Sequence, residues 1–155
     1  MRIYLAAVVL AILPFLDGSA GPMSTPPSFD SVGDDRRAID ALLSSYTKAV
    51  SSKDQALFET LLLNKQITFS DVSSAIAAKE AAHYESFRKA VFGGPAFTQR
   101  FQDIHVAQDG PLADVSLVFV NTSAKGMSWG WKTLQLLKVE GQWKIASEFY
   151  TGHSG

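Results

Sequence analysis

The chain has 155 residues, of which 46% are hydrophobic and 19% charged; this suits one globular domain and excludes a disordered chain. Its net charge of -1 excludes the broad basic field that nucleic acid or an anionic membrane surface would require. It contains no cysteine, which removes disulfides, thiolate nucleophiles, thiolate-bound zinc and thiol lipidation, so stability must come from packing.

Residues 1–20 read as a cleavable export signal: a positive start at Arg2, an apolar run from Ile3 to Leu16, and small residues at Gly18 and Ala20 before a cut. The run is interrupted by Pro14 and falls short of the roughly twenty residues that a spanning helix needs. The expected location is therefore periplasmic or extracellular, with no membrane attachment after cleavage. Residues 21–33, with Pro22, Pro26 and Pro27 among serines and glycines, read as linker.

The domain is expected over residues 34–152. Ile39, Leu42, Leu43, Tyr46, Ala49 and Val50 recur at helical spacing, which predicts an amphipathic helix capped by Asp34 or Asp35. Asp54 caps a shorter second helix that turns Leu57, Phe58 and Leu61 inward. Alternation over Lys65 to Val72 predicts a strand, with Ile67, Phe69 and Asp71 on one face. A third helix is expected from Ser73 and Ser74 to Phe92, with Ile76, Tyr84, Phe87 and Val91 inward and Gly93-Gly94-Pro95 as its stop.

From Phe97 onward the chain reads as four strands in an antiparallel meander, with turns at Asp109-Gly110, Lys125-Gly126 and Glu140-Gly141. Trp129, Trp131, Thr133, Gln135 and Leu137 alternate onto one side of the long penultimate strand, and Leu134 and Leu136 share the other with Lys132 and Lys138. Apolar residues on both faces predict that one side of the sheet packs on a second subunit, or under the linker or third helix, and a homodimer is the expected state. Asn121-Thr122-Ser123 matches a glycan acceptor pattern beside a hairpin. The class is α+β: N-terminal helices packed on a strongly curved antiparallel sheet.

The run Ile39-x-x-Leu42-Leu43-x-x-Tyr46-x-x-Ala49-Val50, the following Lys53-Asp54-x-x-x-Leu57-Phe58 and the closing Gly141-Gln142-Trp143-Lys144-Ile145 resemble the nuclear transport factor 2-like superfamily, over Asp34 to Tyr150. The resemblance implies a cone-shaped fold whose bent sheet wraps the long helix around an apolar pocket. Some members, ketosteroid isomerase and the SnoaL-like cyclases among them, use that pocket for acid–base chemistry on hydrophobic carbonyl compounds. Others bind or oligomerise.

Carried over by position, that chemistry puts an oxyanion donor at Tyr46 and a proton-shuttling base at Asp71. The second donor, an acid in the isomerase, falls on Gln135, whose amide donates without being tunable by protonation. The pocket lining implied by the cone is Tyr46, Phe69, Phe101, His105 and Trp131. Each has a plainer account: Tyr46 as a core residue with a satisfied hydroxyl, Asp71 as the cap of the next helix, His105 as a surface group. His83, His105 and His153 are scattered, so neither a metal nor any other cofactor is expected. Three readings stand: a domain binding a small apolar ligand or a protein partner, a lyase or isomerase, and a dimerisation module whose cone is filled by Phe87, Phe101 and Phe119.

Overall fold

The computed structural model describes residues 28–155, so the export-signal expectation for residues 1–20 lies outside the described residues. Helix α1 (Gly33–Ser52) buries Ile39, Leu42, Leu43, Tyr46, Ala49 and Val50, the stripe that its periodicity predicts. Its start differs from expectation. Val32 is the N-cap and no side chain caps it; Asp34 and Asp35 lie in the first turn, where carboxylates complement the helix dipole. Lys53 ends the helix in a left-handed conformation, and Asp54 then caps α2 (Gln55–Thr60) by accepting from the Leu57 amide at 2.9 Å.

Strand β1 (Thr68–Asp71) leads into α3 (Val72–Ala78) and α4 (Tyr84–Phe92), two helices where one was expected. The break lies at Lys79, in a left-handed conformation at φ 56°. Beyond it, residues 80–83 pair with β1: the Phe69 amide donates to the Ala82 carbonyl at 2.9 Å, and the Tyr84 amide to the Ile67 carbonyl at 3.1 Å. Hydrogen bonds to the sheet thus replace the helical turn. Ile76 is 73% exposed rather than inward, while Tyr84 and Phe87 are buried.

Strands β2 (Thr98–Asp109), β3 (Leu112–Ser123), β4 (Gly126–Val139) and β5 (Gln142–Tyr150) form the expected antiparallel meander, and β6 (His153–Ser154) pairs with the start of β4. The sheet order is β1-β5-β4-β3-β2. The sheet is mixed rather than wholly antiparallel, because β1 runs parallel to β5. The other edge of β5 is taken by β4, so β1 covers the one that remains and leaves no open template there. Residues 29–31, read as linker, hydrogen-bond along β2: the Ser31 amide donates to the Val106 carbonyl at 3.0 Å.

Two bulges decide which side chains face inward. Between Gln102 and His105 the register with β3 shifts, with Asp103 left-handed at φ 52°. Between Gln135 and Leu136 it shifts against β5, so that Gln135 pairs with Ser147 and Leu136 with Ile145, leaving Ala146 over. Each extra residue inverts the faces beyond it.

The concave face packs on α1 and on an aromatic cluster built around Phe58, whose ring centroid lies 4.8 Å from Tyr46 and 5.3 Å from Phe87. At the N-terminal end of α1, Asp35 accepts from Lys138 Nζ at 2.6 Å and Trp143 Nε1 at 3.1 Å, tying the helix to β4 and β5. These bonds, the one from Lys138 foremost, hold the Asp35 carboxyl below its usual range.

Candidate functional site

In β4 the side chains of Lys132, Leu134 and Leu136 point to the concave face, and in β5 the Ala146 bulge turns Glu148 to that face as well. Lys132 is 2% exposed and Glu148 0%. Two opposite charges have therefore been carried into the core together, at 2.7 Å from Nζ to Oε1.

Tyr46, from α1, completes the group. Its hydroxyl donates to Glu148 Oε2 at 2.9 Å and accepts from Lys132 Nζ at 2.6 Å. The ammonium also sits over the rings of Tyr46 at 4.5 Å, Phe119 at 5.3 Å and Tyr150 at 5.6 Å. Cation–π attraction in a desolvated setting adds to the ion pair. Burial lowers the affinity of Lys132 for its proton and raises that of Glu148, and each is opposed by the partner's charge. Burial, followed by the charge of Glu148, raises the Tyr46 hydroxyl well above the phenol range, so Tyr46 remains a protonated donor.

A recess of about 100 Å³ opens beside this triad. Lys132, Phe119 and Tyr150 form one side of it, and Phe87 and Val91 of α4 another. Gln99 and Asn121, on adjacent strands, add the polar groups: Gln99 Nε2 donates to Asn121 Oδ1 at 2.8 Å. The buried Gln99 Oε1 has no hydrogen-bond partner. Burial, then the nearby charge of Glu148, pushes the Tyr150 hydroxyl up to about 12. Phe97 and Asn121 are shared with an outer recess of about 380 Å³, walled by Ala90, Pro95 and Met127, so the two adjoin.

The structure distributes the sequence-predicted residues unevenly. Tyr46 and Phe101 meet at 5.2 Å beneath Lys132, and neither lines the recess. Phe69 lies behind them in the aromatic cluster, 4.7 Å from Phe87, and does not line the recess. Asp71 is the N-cap of α3, with Oδ1 accepting from the Ser74 amide at 2.9 Å, while the Tyr46 hydroxyl is taken up by Glu148 and Lys132. The plainer account of Asp71 thus describes its place.

Gln135, Trp131 and His105 are corrections. Gln135 sits on the outer face, bonded to Asp114 and Ser147, between the inward Leu134 and Leu136. Trp131 shares that outer face and is 56% exposed. His105 is turned outward by the Asp103 bulge, pairing with Ser116 while Val106 takes the buried position. Asn121 of the glycan pattern faces the recess and is engaged by Gln99. Among the described residues, no three histidine or acidic side chains gather at metal-ligand spacing.

The sequence over residues 39–150 matches the SnoaL-like domain model. That span runs from α1 to the end of β5 and contains the whole triad. The chain belongs to the SnoaL-like domain family.

Solved structures of the same fold accompany that assignment. A nuclear transport factor 2-like protein from Cytophaga hutchinsonii is 17% identical, with a TM-score of 0.64, covering 78% of this chain and 100% of its own. A protein of unknown function with a cystatin-like fold from Nostoc punctiforme is 10% identical, with a TM-score of 0.64, covering 80% of this chain and 95% of its own. The CaMKII hub of S. rosetta is 19% identical, with a TM-score of 0.60, covering 84% of this chain and 99% of its own. Curated protein sequences give no match.

This SnoaL-like domain has the cone that the resemblance implied, helices first and a curved, unclosed mixed sheet after them. Sequence reasoning missed its two charged site residues. Lys132 had left a signal, a lysine alternating with Leu134 and Leu136 on an apolar row. Glu148 had left none, because unbroken alternation from Trp143 and Ile145 places Ser147 inward instead.

Proposed function

We propose that this protein is an exported domain that holds a small, largely apolar molecule in the recess beside Lys132. The observation that carries this reading is an accessible hollow bounded by aromatic rings and provided with a few fixed polar groups, the usual constitution of a ligand site. Export rests on the leader-like residues 1–20.

Binding is favoured over isomerisation or elimination because proton abstraction needs a free carboxylate at the ligand. No carboxylate lines the recess among the described residues, and Glu148 behind it is neutralised by Lys132 and Tyr46. A ligand-observed NMR screen of small neutral compounds should give hits on the wild type that vanish in Val91→Trp, which fills the recess from α4. Hits of undiminished strength in a folded Val91→Trp protein would remove the recess as the site.

A second reading concerns partners. The outer face of β4 and β5 exposes Trp129, Trp131 and Phe149, a patch suited to a self-complementary interface between two copies of the chain. A net charge of -1 sets little repulsion against that pairing. The S. rosetta neighbour is a CaMKII hub by its own description, which lends this fold as a scaffold for assembly. Native mass spectrometry should show a dimer whose dissociation constant rises by roughly 30-fold or more in Trp131→Asp, the scale of an aromatic hot spot. A monomeric wild type at tens of micromolar would sink the dimer.

A further inference from the structure

The polar groups around the inner recess are incompletely satisfied, and what they lack specifies a ligand. A lysine ammonium has three donors. Those of Lys132 serve Glu148 Oε1 and the Tyr46 hydroxyl, leaving one N–H without a hydrogen-bond partner on a residue that lines the hollow with Phe119 and Tyr150. Gln99, which also lines it, has in Oε1 a buried acceptor without a donor, while its own amide nitrogen is fixed on Asn121. Lys132 and Gln99 thus both line a space of about 100 Å³. At about 30 Å³ for each water-sized unit, that space suits a head group of three or four heavy atoms.

Charge narrows the chemistry. Lys132 is already balanced by Glu148 at 2.7 Å, so a carboxylate entering the recess would leave one net negative charge away from water. A saturated hydrocarbon would leave the Lys132 N–H and Gln99 Oε1 unpaired, which costs more than the apolar contact returns. A neutral group that accepts at one atom and donates at another meets both. Beyond Phe97 and Asn121, the outer recess offers Ala90, Pro95 and Met127 to an attached chain.

We propose that the paired recesses bind a short linear primary carboxamide, its carbonyl oxygen on Lys132 Nζ, its amide N–H on Gln99 Oε1, and its alkyl chain in the outer recess. This rests on the small-molecule reading given above and names the ligand class for it.

Isothermal titration with hexanamide, hexanoate and hexan-2-one tests the assignment. Hexanamide should bind the wild type, with hexanoate at least tenfold weaker, and Gln99→Leu should weaken hexanamide by roughly tenfold while leaving hexan-2-one, which has no donor for Gln99 Oε1, within about threefold. Because Lys132→Met alone endangers folding, the double variant Lys132→Met/Glu148→Leu removes the ammonium with its counter-charge, and it should weaken hexanamide by a similar factor. Hexanoate binding as tightly as hexanamide, hexanamide indifferent to Gln99→Leu, or hexanamide failing to bind would each overturn the carboxamide. The binding reading would survive those results as long as other neutral compounds still lost their hits in Val91→Trp.

Discussion

Lys132→Met is expected to lower unfolding stability by about 3–5 kcal/mol, the largest effect of any single charged residue in the described chain. Its Nζ lies 2.7 Å from Glu148 Oε1, and neither side chain reaches solvent to an extent that water can replace the lost partner. Methionine fills nearly the same volume, so the loss comes from Glu148 left buried beside Tyr46 without its counter-charge rather than from a cavity. Glu148→Gln should cost a comparable amount by stranding the ammonium. Lys132→Met/Glu148→Leu removes both charges and should recover most of the loss, since apolar replacement of a buried pair is neutral or stabilising in many proteins. Urea denaturation of the three variants checks this. A neutral Lys132→Met single variant would mean that the pair is hydrated in solution.

The pair is therefore weak as a source of stability and costly to disturb, which bears on why it is present. Replacement by leucine and methionine would serve packing alike, so its presence fits a role at the recess that Lys132 lines. Tyr46 joins the two functions. Its ring belongs to the aromatic core at 4.8 Å from Phe58, and its hydroxyl closes the hydrogen-bonded chain from Lys132 to Glu148.

How much of this could be read from sequence follows from what interrupts periodicity. The α1 stripe from Ile39 to Val50 was legible because nothing breaks its spacing, and the Asp54 cap because the residue and the following apolar run agree. The two bulges have no glycine to mark them. Asp103 takes the left-handed conformation itself, and Ala146 is simply skipped in the pairing with β4. Alternation counted straight through the first misplaces His105 inward, and through the second it hides Glu148. The break between α3 and α4 was illegible for a similar reason, since Lys79 supplies the left-handed turn without glycine or proline. Asp71 was legible only as an aspartate before Ser73 and Ser74, and its capping bond to the Ser74 amide decides between its two accounts.

Phe58→Ala should cost about 3–5 kcal/mol, the range for deleting a fully buried phenylalanine. Five aromatic rings surround Phe58: Tyr46 at 4.8 Å, Phe87 at 5.3 Å, Phe92 at 5.4 Å, and Phe69 and Tyr84 each at 6.0 Å. They come from α1, β1 and α4, so Phe58 of α2 is the side chain on which rings from three other elements converge. Collapse into the vacated volume is restricted, because Tyr46 is held at its hydroxyl by Glu148 and Lys132. Phe92, on the margin of the same cluster and partly buried, can yield to solvent and should cost less than half as much when truncated. Equal losses for Phe58→Ala and Phe92→Ala in urea denaturation would show that the cluster has no centre. A larger loss at Phe58 makes its ring the centre of the cluster, in contact with the tyrosine that bonds Lys132 and Glu148.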